Sequence, residues 1–294
     1  MMPPDGRKAD KPYSFGVSEF TTWPNTFDAD LALYSSAGVD CIEVTEFKLD
    51  HARLAEQLQS IKEFGLGVSS VQATVHSLYP DGLAGEPAAP QDRIRHIRRS
   101  IENIAPHVPA GTPFVAVTGA APGGDVRQVY ETAVPAFREL TGVCEAHGMR
   151  LAFEPLNPML MNSDTAIWSL GDALDLVRTV GRTSFGLCVD LWNIWQSPSL
   201  GDVIREASDK MFLVQVSDYH RPRSHNDRTS LGDGEIPLAS IISQIRKAAY
   251  DGPYVLEIFS GESLPNSLWR ADFRDVLLRN MEAFASAWKR SDAP

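Results

Sequence analysis

Short apolar runs recur along the chain, each closed by glycine, proline or a polar cluster and followed by a stretch of helical spacing. The runs at 15–20, 39–47, 67–74, 114–118, 151–157, 185–190, 212–218 and 254–259 read as strands. Between them, helices are expected near 26–37, 50–64, 91–107, 125–146, 163–181, 198–207, 238–249 and 267–288. Gly38, Gly65 and Gly181 supply C-terminal stops, and Ser163-Asp-Thr supplies an N-cap for the fifth helix. Strands that are apolar nearly throughout, each with a helix after it, predict a parallel sheet covered by helices. Eight such units close a single (β/α)8 TIM barrel, expected over residues 13–294 after a flexible polar leader of 1–12. The rival doubly wound sheet lacks support, because Gly119-Ala-Ala-Pro-Gly-Gly124 does not match the GxGxxG phosphate turn and no Walker pattern occurs.

Composition narrows the function. The 294 residues are 43% hydrophobic and 22% charged, enough to bury a sizeable core. With 27 basic against 38 acidic side chains the formal charge is −11, which argues against nucleic acid or an anionic membrane as partner. A small-molecule substrate suits it better. No apolar run reaches the ~18 residues of a membrane span, and residues 1–11 contain no apolar signal core, so a cytoplasmic location is expected. Cys41, Cys144 and Cys188 are odd in number with no CxxC pair, as expected of reduced, buried thiols. The basic helix with Arg93, Arg95, Arg98 and Arg99 is read as a solvated outer face.

Four strands carry an oxygen-bearing side chain near their C-terminal ends: Glu154, Asp190, Gln215 and Glu257. In a (β/α)8 barrel those ends converge on one face. Buried carboxylates are costly unless paired or metal-bound. Three acids and an amide oxygen make a hard donor set suited to Mn²⁺, Mg²⁺ or Co²⁺ rather than structural zinc.

With Glu154-Pro-Leu-Asn157, Val189-Asp-Leu-Trp-Asn193, Val214-Gln-Val-Ser-Asp218, Leu231-Gly-Asp-Gly-Glu-Ile236 and Leu256-Glu-Ile258 in this order, the chain resembles the xylose isomerase-like TIM-barrel superfamily over about residues 15–285. That group includes ketose 3-epimerases, hydroxypyruvate isomerases, inosose dehydratases and metal-dependent abasic-site endonucleases. The resemblance implies one divalent cation, Mn²⁺ foremost, on Glu154, Asp190, Gln215 and Glu257. It also implies that Glu154 and Glu257 move a proton through a metal-stabilised enediolate of a keto-sugar, polyol or related carbohydrate. It places His76, Asn193 and Arg221 against substrate and favours a homodimer or homotetramer. Asn193, Gln215 and Thr229 stand where the endonucleases would supply histidines, which disfavours a zinc cluster.

Isomerisation or epimerisation is the first expectation. A lyase or dehydratase on the same scaffold is the second, and a silent sugar-binding barrel the third. Trp23, Trp192 and Trp195 are candidates for an apolar wall. Glu46 is a candidate supporting residue or structural partner, and His220, His225 and Asp227 lie on a long polar loop that could face the site or solvent.

Overall fold

Each apolar run becomes a strand, and pairing follows chain order until the last strand returns to the first. The strands are β1 (Phe15–Ser18), β2 (Cys41–Thr45), β3 (Gly67–Ser77), β4 (Pro113–Val117), β5 (Arg150–Phe153), β6 (Phe185–Asp190), β7 (Met211–Val216) and β8 (Tyr254–Leu256). They form a closed parallel barrel, sealed by the register Phe15 to Tyr254, Gly16 to Val255 and Val17 to Leu256. The computed structural model describes residues 11–221 and 227–292; the first ten residues of the expected leader and His225 lie outside them.

The helices are α1 (Phe27–Ala37), α2 (Leu54–Glu63), α3 (Pro90–Ile104), α4 (Val126–Ala146), α5 (Leu170–Val180), the single turn α6 (Leu191–Ile194), α7 (Leu200–Glu206), α8 (Leu238–Lys247) and α9 (Phe273–Arg290). α1 ends at Gly38 as expected, with φ 80° closing the last turn, and the Thr26 side chain caps its start by accepting from Ala29 N. α5 does not begin where expected. Its cap is Ser169, which accepts from Asp172 N, while 163–165 remains a pinned loop. Thr118 Oγ1 accepts from Ala166 N at 2.9 Å, and Leu156 N donates to Ile167 O, so these tertiary bonds hold the backbone away from helix.

A second departure is Arg93. Rather than facing solvent it is fully buried, donating to Ser77 O, Ala84 O and Pro87 O at 2.8–2.9 Å, which ties down the loop between β3 and α3. Arg95 and Arg98 do lie at the surface, paired with Asp92 and Glu139.

A large apolar core lies between sheet and helices, and a smaller cluster of Val115, Ala152, Cys188, Leu213 and Val255 is separate from it. Side chains alternate faces along a strand, so positions two apart point the same way. Two residues beyond four members of that small cluster stand Glu154, Asp190, Gln215 and Glu257. The cluster is an apolar floor, and the polar residues form the next layer toward the C-terminal ends of the strands. No helix among the described residues is long and apolar enough to cross a membrane.

Candidate active site

One carboxylate oxygen from each of Glu154, Asp190 and Glu257 lies within 4.8 Å of the other two, and all three side chains are buried. They are carried by the ends of β5, β6 and β8. A cavity of about 130 Å³, lined in part by Glu154, Glu257, Arg228, His76 and Trp192, opens beside them. An apolar cavity of similar volume in another protein holds one benzene, so the space suits a single small ring or short open chain.

The residues around the three acids fix their orientation. Asn193 Nδ2 donates to Glu154 Oε1 at 2.7 Å and Asp190 Oδ2 at 2.8 Å, while Asn193 Oδ1 accepts from Asn157 N at 2.9 Å. Asp190 Oδ1 accepts from Trp192 N at 3.0 Å, at the start of α6. Glu257 Oε1 accepts from Gln72 Nε2 at 2.6 Å and Gln215 Nε2 at 2.9 Å. Gln215 is thus beside the acids as expected, but it meets them through nitrogen; its oxygen accepts from the Cys188 thiol at 3.0 Å.

Arg228 is the cation of this layer. Its Nη1 reaches Asp190 Oδ2 and Glu257 Oε2, both at 2.9 Å, and its guanidinium lies over the rings of Trp192 and Phe259 at 4.7 and 5.0 Å. Burial works against its charge, yet Asp190, Glu257 and Glu154 outweigh that and raise its pKa. Burial and the charges of Glu257 and Asp190 push Glu154 well above the usual carboxylate range, with Arg228 only partly opposing. Burial likewise raises Glu257 and Asp190 against the pull of Arg228.

The expected substrate residues separate. His76 lines the cavity, with Nε2 3.6 Å from Asp81 Oδ2. Asn193 has both polar atoms committed to the acids and Asn157, so it orients rather than lines. The structure does not bring Arg221 to the cavity: its side chain is 72% exposed and paired with Glu235, and the arginine that enters is Arg228, at 6%. Spacing along a loop gives reach, not direction. Trp192 lines the cavity, Trp23 stacks on Phe20 beside Trp269, and Trp195 packs on Tyr219. His220 pairs with Asp227 at 3.3 Å. Glu46 faces outward, accepting from Thr74 N and Ser100 Oγ between β3 and α3, a structural tie.

Arg228, Glu43 and Gln72 were missed. Glu43 shares the parity of Cys41 on β2 and projects into the same layer, where Gln72 and Gln215 donate to it. The alternation Ile42-Glu43-Val44-Thr45 reads as a half-buried strand with a solvated polar face, whereas β2 is buried on both faces. The loop carrying Arg228 is shaped by Asp218, whose carboxylate accepts from Tyr219 N, Gly232 N and Ile236 N. A Cβ at Gly234 would overlap Asp218 Oδ1 and Tyr219 O, which explains the glycine.

The donor set fits a divalent cation. Three buried carboxylates, Glu154, Asp190 and Glu257, share one guanidinium, and a second cation would offset the burial and mutual repulsion that push Glu154 and Glu257 above the usual carboxylate range. Each carboxylate has about four lone-pair sites, so the hydrogen bonds above leave room for coordination.

A family model described as "Xylose isomerase-like TIM barrel" matches residues 31–281. An inosose isomerase from Halalkalibacterium halodurans is 23% identical over 140 residues, 46% of this chain and 48% of that protein. The chain thus matches about half the length of this curated relative. The fold superposes on an IolI protein holding a zinc atom, with TM-score 0.79 and 18% identity over 96% of this chain and 100% of the other. It also superposes on an L-ribulose 3-epimerase, with TM-score 0.75 and 18% identity over 95% of each chain.

Proposed function

From the premise that the chain belongs to the xylose isomerase-like TIM barrel family, we propose that it is a divalent-metal-dependent isomerase or epimerase of a keto-sugar, polyol or related carbohydrate. The observation that carries this reading is the convergence of Glu154, Asp190 and Glu257 beside a cavity that fits a single small ring. Those three acids would hold the cation; Mn²⁺, with Mg²⁺ and Co²⁺ as alternatives, suits their oxygen donors. When bound, it would act as a Lewis acid, drawing electron density from a substrate carbonyl and its neighbouring hydroxyl.

Glu154 and Glu257 are the acid/base pair in this reading. One carboxylate takes the proton from the substrate carbon, and the other returns it. Return on the opposite face gives the epimer; return to the adjacent carbon gives the aldose–ketose isomer. Asn193 holds Glu154 against Asp190, and Gln72 with Arg228 holds Glu257, so neither base must reorganise as charge develops. His76 is positioned to hydrogen-bond a substrate hydroxyl, and Trp192 and Phe259 supply apolar wall. The names of the relatives, an inosose isomerase and a ketose epimerase, support a carbohydrate substrate.

Chelation should remove activity on the responsive sugar, and Mn²⁺ or Co²⁺ should restore it. Full activity in a preparation proved metal-free by elemental analysis would reject the metal-dependent reading. Loss of a hydroxyl from substrate, in place of a rearranged sugar, would assign the same site to a lyase.

A further inference from the structure

Glu43 lies in the polar layer just above the barrel floor, fully buried and outside the cavity lining. Ser70 Oγ donates to its Oε2 at 2.6 Å and Gln72 Nε2 to its Oε1 at 3.1 Å. Gln215 Nε2 reaches Oε1 at 2.9 Å and Oε2 at 3.2 Å. The same nitrogen donates to Glu257 Oε1 at 2.9 Å, and Gln215 Oε1 accepts from Cys188 Sγ at 3.0 Å. A side-chain amide has donors only on nitrogen and acceptors only on oxygen, and its orientation is fixed by its partners. Turned over, Gln215 would set its carbonyl oxygen against the oxygens of two carboxylates and its NH₂ against a thiol donor. Such buried mismatches are more costly than the bonds they replace are stabilising.

We propose that Glu43 is a positioning residue that fixes Gln215 as a hydrogen-bond donor, so that the amide steers Glu257 and does not ligate the cation. Glu43 and Glu257 together claim both amide hydrogens. Cys188, one layer below on β6, holds the oxygen toward the floor. The cation is then left to three carboxylates. That consequence rests on the metal-dependent reading above; the orientation of the amide does not.

The first arm of the test uses metal-free, ¹⁵N-labelled protein. The Gln215 NH₂ protons, assigned by triple resonance, should exchange with water at least about tenfold more slowly than those of an exposed glutamine, as buried hydrogen bonds require. Glu43→Gln puts a competing NH₂ beside that donor, so protection should collapse while far-UV circular dichroism stays unchanged. Unprotected Gln215 protons in the wild type, or protection unaltered in a folded Glu43→Gln, would overturn the proposal.

The second arm titrates Mn²⁺ by calorimetry into wild type, Glu43→Gln, Gln215→Leu and the double variant. Each single change should weaken binding by about tenfold or more, the usual effect of losing a residue that orients a ligand. The double variant should lose no more than the worse single, because Glu43 acts through Gln215. Losses that multiply would overturn the proposal. Absence of Mn²⁺ binding in the wild type would sink the metal reading and leave the first arm to judge the amide.

Discussion

Arg228 carries a guanidinium into a space where burial disfavours any charge, and Asp190 and Glu257 keep it ionised. Removing one member of such a buried group leaves the others uncompensated, at a cost of about 3–5 kcal/mol. Arg228→Met should therefore lower metal-free stability by about that amount in urea titrations near neutral pH. Arg228→Lys keeps the charge but not the flat face over Trp192 and Phe259, and should recover only part of the loss. An unchanged midpoint in Arg228→Met would show that the three charges do not support one another. The acids Glu154, Asp190 and Glu257 were legible in the sequence because each interrupts an apolar strand end, where an unpartnered charge is expensive. Arg228 was not legible. It lies in a polar loop among other cations, and only in the folded chain does Arg221 turn to Glu235 while Arg228 reaches Asp190 and Glu257.

At the scale of elements, the wall of the cavity formed by Asp81, Gly82 and Leu83 belongs to the loop between β3 and α3. Arg93 fastens the base of this loop through three carbonyl groups and Ser77 Oγ, and Asp164 Oδ1 accepts from Gly82 N at 2.6 Å near its tip. Arg93→Met should leave buried acceptors unpaired, each costing about 1–3 kcal/mol. Hydrogen exchange should accelerate at residues 78–89 well before it does in the barrel strands. Uniform exchange across both would mean that the arginine supports the whole fold rather than the loop. The rhythm of strands and helices was legible from periodicity, and the end of α1 from Gly38. The start of α5 was not. Ser163 and Ser169 are equally good capping residues, and the choice between them is made by Thr118, which holds the intervening backbone from a neighbouring strand.

The whole molecule is a barrel whose closure creates both the floor and the polar layer above it, so its stability should respond to buried acids elsewhere in that layer's surroundings. Glu19, just beyond β1, is fully buried; burial raises its pKa well above the usual carboxylate range, with Lys48 opposing and Asp30 adding to the shift. Its Oε2 accepts from Thr45 N at 2.8 Å, a bond that a glutamine oxygen can also accept. A raised folded-state pKa means that the native protein binds the proton more tightly than the unfolded chain. This contribution is favourable below the folded pKa relative to the ionised state, and is lost as pH rises from the unfolded value through the folded one. Glu19→Gln should therefore gain in melting temperature relative to wild type as the pH is raised across the range above about 5, where an ordinary glutamate is already ionised. A difference that is constant across that range would place the cause elsewhere.

The barrel itself was legible because eight strand–helix units admit few closures, whereas the support around each acid depends on which strands become neighbours only after closure. Glu43 and Gln215 sit 172 residues apart in sequence and meet inside the barrel.

The most direct test of the proposed chemistry is solvent deuterium uptake into a panel of keto-sugars in D₂O with added Mn²⁺, comparing wild type with Glu154→Gln and Glu257→Gln. The account predicts incorporation at the carbon next to the carbonyl without loss of a hydroxyl, abolished in both folded variants. Undiminished uptake in either variant would contradict it.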